Sequence, residues 1–165
     1  MRKGFSLIEM IIYIAILGVV MVTIVSFMSV IMNTKAKAQA ISEVEQQGLQ
    51  LMQTIDQTVH NATAINSPTV GNSSGLTLSL ALADEAVNPT LFTLSGTTLQ
   101  MKEGAGSYID LNSSKVKVTN ISFTNISRTS TRGIIKIQFT LAYNNSSNTT
   151  NFNYSKTFYS SAAIR

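Results

Sequence analysis

The order of apolar and polar positions divides the chain into three stretches. Between Glu9 and Lys35 lie 25 residues without a formal charge, from Met10, Ile11 and Ile12 through to Met32, Asn33 and Thr34. A helix needs about 20 predominantly apolar residues to cross the hydrocarbon of a bilayer, and this run exceeds that. It is apolar around its whole circumference, which fits lipid better than one side of a soluble core. From residue 35 the period changes. Ile41, Val44, Gly48, Met52, Ile55, Val59 and Ala62 recur at steps of three and four, and Gln47, Gln50, Gln53, Asp56 and Gln57 lie largely off that stripe. This is the pattern of an amphipathic helix. No proline interrupts residues 5–67, so both stretches read as one helix of about 58 residues, roughly 87 Å long.

From Asn66 onward the alternation is two-residue. Leu76, Leu78, Leu80 and Leu82 alternate strictly, as in a half-buried strand, behind a loop containing Pro68, Gly71, Asn72 and Gly75. Residues 91–94 and 99–101 flank Ser95-Gly96-Thr97-Thr98 and predict a hairpin. Val116 and Val118 are followed by Ile121 and Phe123. The alternation slips there by one residue, which predicts a bulge or bend. Ile135, Ile137, Phe139, Leu141 and Tyr143 form the clearest strand. A polar turn over residues 144–151 then leads into a returning strand with Phe152, Tyr154 and Phe158. The predicted fold class is α+β: a long N-terminal helix, membrane-spanning in its first half, packed on an antiparallel sheet of meander topology.

Composition narrows the chemistry. The chain has 165 residues, a prior of one domain. It has no Cys, and so no disulfide framework, thiolate metal site or cysteine nucleophile. With one His, a His-cluster metal site is excluded and little remains for acid–base chemistry near neutral pH. No catalytic residue, metal site or cofactor is assigned, and an enzyme is not expected. His60, at the end of the long helix, reads as structural, because the helix C-terminus favours an imidazole. Asp84, Glu85 and Glu103 lack EF-hand-like spacing for calcium and read as a solvated loop. Asn61, Asn112, Asn120 and Asn125 begin Asn-x-Ser/Thr sequons, which a chain so rich in Asn, Ser and Thr contains by composition.

The N-terminus carries the sharpest signal. Arg2 and Lys3 precede the apolar run, which keeps that end cytoplasmic and exports the rest. A cleaved secretory signal would have an apolar region of about 7–15 residues followed by a small-residue cleavage site. Here the run is longer and no such site follows, so the segment reads as retained in the membrane. Glu9 sits just inside it, although a carboxylate at mid-membrane costs roughly 2.5–3.5 kcal/mol on an insertion scale. A position near a helix N-terminus eases that cost.

The string Arg2-Lys3-Gly4-Phe5-Ser6-Leu7-Ile8-Glu9 resembles the processing site of type IV pilins and pseudopilins. The resemblance implies a leader removed by a membrane prepilin peptidase between Gly4 and Phe5, N-methylation of Phe5, and Glu9 as the fifth mature residue. Each part has a physical reading. Gly4 offers no side chain to obstruct close approach of a protease. Leader removal deletes Arg2 and Lys3, and the freed amine of Phe5 can pair with Glu9 of an adjacent subunit. Such a pair, inside a helical bundle, serves register more than stability. The family often has a kink-forming proline near residue 26, where this chain has Ser26. The β-rich part is similar to minor pilins and J-type pseudopilins, which place a short end such as Ala162-Ala163-Ile164-Arg165 after the last strand. The implied segments are a leader at 1–4, a transmembrane and filament-core helix at 5–34, its amphipathic continuation at 35–65, and a β-rich head at 66–165.

Charge is dipolar along the exported part. Residues 35–110 hold Lys35, Lys37 and Lys102 against Glu43, Glu45, Asp56, Asp84, Glu85, Glu103 and Asp110, whereas residues 111–165 hold Lys115, Lys117, Arg128, Arg132, Lys136, Lys156 and Arg165 without an acid. Two readings stand. Basic strands face the acidic helix or a neighbouring subunit, or else Lys115, Lys117, Arg128, Arg132 and Lys136 contact DNA or an anionic envelope polymer. Alternation turns Lys115, Lys117 and Lys136 away from the local core.

The expected function is therefore a structural subunit, a minor pilin or pseudopilin of a filament-like machine for pilus assembly, DNA uptake or protein secretion. Its implied partners are the prepilin peptidase, other pilin subunits, the membrane, and indirectly a platform protein and an assembly ATPase. It would sit in the cytoplasmic membrane as a single-pass protein with its head exported, and then enter a surface or periplasm-like filament. The alternatives are a membrane-anchored adhesion or sensing domain, which has no need of the Gly4, Phe5 and Glu9 constellation, and an exported DNA-binding pilin.

Overall fold

The computed structural model describes residues 6–129, 131–145 and 153–165. Arg2, Lys3, Gly4 and Phe5, most of the polar turn at 144–151, and Phe152 lie outside the described residues.

Helix α1 spans Leu7–Asn61, 55 residues, or about 82 Å. It runs unbroken through Ser26, whose Oγ donates to the Val22 carbonyl at 2.9 Å. Thr23, Ser29 and Thr34 likewise donate to Val20, Val25 and Val30 carbonyls at 2.7, 3.1 and 2.9 Å. These bonds explain why hydroxyls are tolerated in an apolar helix, where an unsatisfied polar group in lipid would be costly.

The helix stops four residues short of the sequence expectation. Ala62 is extended, and its N–H donates to the Val59 carbonyl. Strand β1 (Ala62–Ser67) then pairs antiparallel with β3 (Thr77–Leu82). The sheet ladder replaces helix hydrogen bonds that Pro68, just ahead, would have ended.

The remaining strands are β2 (Ser73–Ser74), β4 (Thr90–Ser95), β5 (Thr98–Glu103), β6 (Ile109–Asp110), β7 (Val116–Asn125), β8 (Ile134–Tyr143) and β9 (Ser155–Ala163). They form two antiparallel sheets, ordered β1-β3-β4-β5-β6 and β2-β7-β8-β9. The fold is α+β, as the pattern predicted, with the antiparallel strands divided between two sheets. The β4–β5 hairpin turns through Gly96 at φ 61° between the paired Ser95 and Thr98. The β7–β8 register shifts between Val118 and Asn120, the bulge that the parity slip predicted. Ala162 and Ala163 belong to β9 and are not a trailing end, and Ile164 is buried.

The helix buries Ala40, Val44, Gly48, Leu51, Ile55 and Val59. Ile41 and Met52, counted on the stripe from sequence, flank this seam half-buried. Strand β9 runs alongside α1 in the same direction. Lys156 meets Glu45, Ser160 meets Asp56, and the Ala163 carbonyl meets His60 Nδ1 at 2.6 Å. Lys156 to Ala163 covers ~23 Å as strand, and Glu45 to His60 covers ~22 Å as helix. The two rises match, so the contacts stay in step.

Midway along this seam the backbone of Gly48 faces the ring of Phe158, and a Cβ at position 48 would overlap the ring. Phe158 in turn stacks on Phe139, with ring centroids 5.4 Å apart and an interplanar angle of 23°. Every buried hydrophobic side chain among the described residues lies between Ala40 and Ile164.

Candidate functional site

The first half of α1 contributes nothing to this core. Its most apolar 18-residue window has a mean hydropathy of 2.7, with none of it buried. Leu7, Ile8, Val19, Val22 and Phe27 are each at least 66% exposed, so no described part of the chain covers this surface. Glu9 lies in the first turn and is exposed. The backbone N–H groups of Glu9 and Met10 donate to the Ser6 carbonyl at 3.1 and 3.3 Å, while the Ser6 side chain makes no cap bond. Glu9 therefore lies in the first turn of the helix, the end at which the helix dipole favours negative charge.

The basic residues separate into two groups at opposite ends of the head. Near the apolar half of the helix, Lys115 Nζ pairs with Glu43 at 3.4 Å, and Lys156 Nζ pairs with Glu45 at 2.8 Å. The hydrogen bond to Glu45 holds the Lys156 pKa above the ordinary lysine value. On the lysine side that contact is thus complete at neutral pH and is lost as pH rises through the raised pKa. Lys117 is exposed on the outward face nearby, opposite Ala142.

At the far end, Lys136 is exposed opposite Thr124 and Ser161. Six residues of β8 separate Ala142 from Lys136, about 20 Å, so Lys117 and Lys136 share a face but not a site. Arg128 and Arg132 are exposed on the β7–β8 connection beyond Lys136, beside the first residues after the helix. Ile164 N–H donates to the Gly133 carbonyl at 2.9 Å, which brings exposed Arg165 alongside Arg132. Of the five basic residues singled out from sequence, Arg128 and Arg132 line one cleft, and Lys136 lies at the same end of the sheet on its outward face. The fold turns Lys115 toward the helix.

Other candidates have local partners. His60 is the helix's link to the Ala163 carbonyl. Asp84 accepts from Ala86 N–H at 2.9 Å, capping a short 3₁₀ turn at Glu85–Val87. Burial sorts the sequons. Asn61 and Asn120 are exposed, whereas Asn112 and Asn125 are buried. Asn112 Oδ1 accepts from Leu99 N–H at 2.7 Å and its Nδ2 donates to the Val116 carbonyl at 2.9 Å, tying β5 to the start of β7. Asn125 Nδ2 donates to the Pro68 carbonyl at 2.8 Å, and its Oδ1 accepts from Ser127 N–H at 3.1 Å and from Ser127 Oγ. Nothing local in the sequence marks these two asparagines among the rest.

Comparison with known proteins agrees with the N-terminal geometry. The prokaryotic N-terminal methylation motif matches residues 1–25. No curated protein and no solved structure matches the chain. The motif, continued by a long helix with an exposed apolar half, supports a type IV pilin-like structural subunit. The motif implies processing by a prepilin peptidase and assembly with pilin subunits, and the apolar helix behind it fits a membrane-anchored pilin.

Proposed function

We propose that the protein is a minor pilin or pseudopilin of a type IV filament-like machine. It is cut between Gly4 and Phe5, methylated on the Phe5 amine, and aligned in the filament by Glu9. The observation that carries this reading is the combination of the methylation motif with an apolar half-helix that none of the described residues covers. In the membrane that surface meets lipid, with the N-terminus cytoplasmic and the head exported. After leader removal it meets the same surface of neighbouring subunits, with extraction driven indirectly by a platform protein and an assembly ATPase. The chain then divides into leader at 1–4, filament-core helix at 5–34, amphipathic helix from 35, and β-rich head.

Two expected results follow. In cells with a prepilin peptidase, intact-mass measurement should find a chain beginning at N-methyl-Phe5, and Gly4→Leu should leave the full precursor in the membrane. Recovery of wild type with Met1 still attached would overturn the processing step. Glu9→Val should insert normally, or better, since a group costing roughly 2.5–3.5 kcal/mol at mid-membrane is gone. It should nevertheless be lost from sheared filaments. Normal filament recovery of that variant would refute the alignment role.

A further inference from the structure

At the end of the head farthest from the apolar half-helix there is a cleft of about 400 Å³ between β1 and the β7–β8 connection. Thr63 and Ile65 form one wall, Ser127, Arg128 and Arg132 line the other, and no carboxylate lines it. We propose that this cleft is a contact site for the phosphate backbone of double-stranded DNA. The inference goes beyond the filament reading, which asks nothing of the cleft.

Three observations support it. The first is charge. Among the described residues Arg128 and Arg132 are the only charged groups lining the cleft, Arg165 follows Ile164, whose N–H bonds the Gly133 carbonyl, and Lys136 lies at the same end on the outward face of β8. Neither ion pair found among the described residues involves any of the four, in contrast to Lys115 and Lys156. The second is preorganisation. Thr131 donates to the Arg128 carbonyl through its N–H at 3.2 Å and its Oγ1 at 2.7 Å, which ties the Arg128 backbone to Thr131, next to Arg132. Buried Asn125 anchors the connection at one side and Ser127 Oγ accepts from Ile134 N–H at 2.8 Å at the other.

The third observation is the absence of an aromatic ring in the lining. Single-stranded nucleic acid is gripped largely by stacking its bases on aromatic side chains, and the lining offers no such platform. Binding through guanidinium and hydroxyl contacts to phosphate instead favours the polymer with the densest charge, and duplex DNA carries one negative charge per about 1.7 Å.

The test uses the full chain in detergent and a short fluorescent duplex of arbitrary sequence, titrated between about 50 and 200 mM salt. Wild type should bind with a salt-dependent affinity. Arg128→Ala with Arg132→Ala should weaken binding about tenfold at the low salt and shallow the salt slope by about 1.8, two phosphate contacts' worth. Lys117→Ala, at the opposite end, should stay within about twofold. Salt-insensitive or absent binding by wild type overturns the proposal, as does an equal loss from Lys117→Ala. Single strands of the same sequence binding more tightly than duplex also overturn it. A poly(glycerol phosphate) chain displacing DNA at equal phosphate would assign the cleft to an envelope polymer and overturn it too. If the alanine pair unfolds the head, Arg128→Gln with Arg132→Gln replaces it. The filament reading is scored separately, since the double variant should still enter sheared filaments.

Discussion

Leucine in place of Gly48 is expected to lower the melting temperature of the head by on the order of 10 °C. A β-carbon at this position overlaps the Phe158 ring, and the ring is held from behind by its stack on Phe139. Overpacking of this kind costs about 1–3 kcal/mol or more, and leucine adds three further carbons to the overlap. The better helix propensity of leucine returns less than about 1 kcal/mol, so the sign stays destabilising. With about 3 kcal/mol lost and ~2–4 °C per kcal/mol in a chain of this size, the shift is easily read. The measurement is near-ultraviolet circular dichroism of a fragment starting at Lys35, which retains every buried side chain among the described residues. Phe158→Ala alone should cost about 3–5 kcal/mol. Combining it with Gly48→Leu should recover part of both losses, because the new side chain then enters the space the ring has left. A Gly48→Leu head melting within about 1 °C of wild type would mean that helix and strand do not approach as described.

The second large effect is expected at Asn125. Alanine there strands the Pro68 carbonyl and the Ser127 N–H in a buried site, each worth about 1–3 kcal/mol once unpaired. A loss of about 3 kcal/mol follows. Asn120 begins a sequon of the same type but is exposed at the β7 bulge, so Asn120→Ala should change stability by no more than about 0.5 kcal/mol. Urea unfolding of both variants checks the contrast. Equal losses at the two positions would contradict the buried role.

The parts of this fold that were legible in the sequence are those with a local cause. Charge-free length marks the first half of α1, strict alternation marks β8, and a one-residue parity slip marks the β7 bulge. The helical seam was legible only to within one position. Steps of three and four fit Ile41 and Met52 as well as Ala40 and Leu51, and the choice is made by where β9 lies. Gly48 was counted on the stripe, but its reason is Phe158, 110 residues later in the chain. The basic face shows the same limit from the other side. Alternation says which side of a sheet a lysine takes and is silent about which end of the sheet it occupies. Lys115 and Lys117 therefore looked like companions of Arg128 and Arg132, whereas strand direction puts them at opposite ends of the head. The N-terminal methylation motif needed no fold at all, because it lies in consecutive residues of the chain.

The pairing of α1 with β9 also orders events in time. Asp56 meets Ser160 across 104 positions, and Glu45 meets Lys156 across 111. Synthesis from the N-terminus delivers the helix first and its partner strand last. Throughout that interval the stripe from Ala40 to Val59 faces water with the central place along it unfilled. The head therefore closes in a late step that waits on the final strand, and contacts this distant in sequence form slowly. In the proposed membrane-anchored subunit, the apolar half of the helix holds that unfinished stripe at the membrane surface until the last strand arrives.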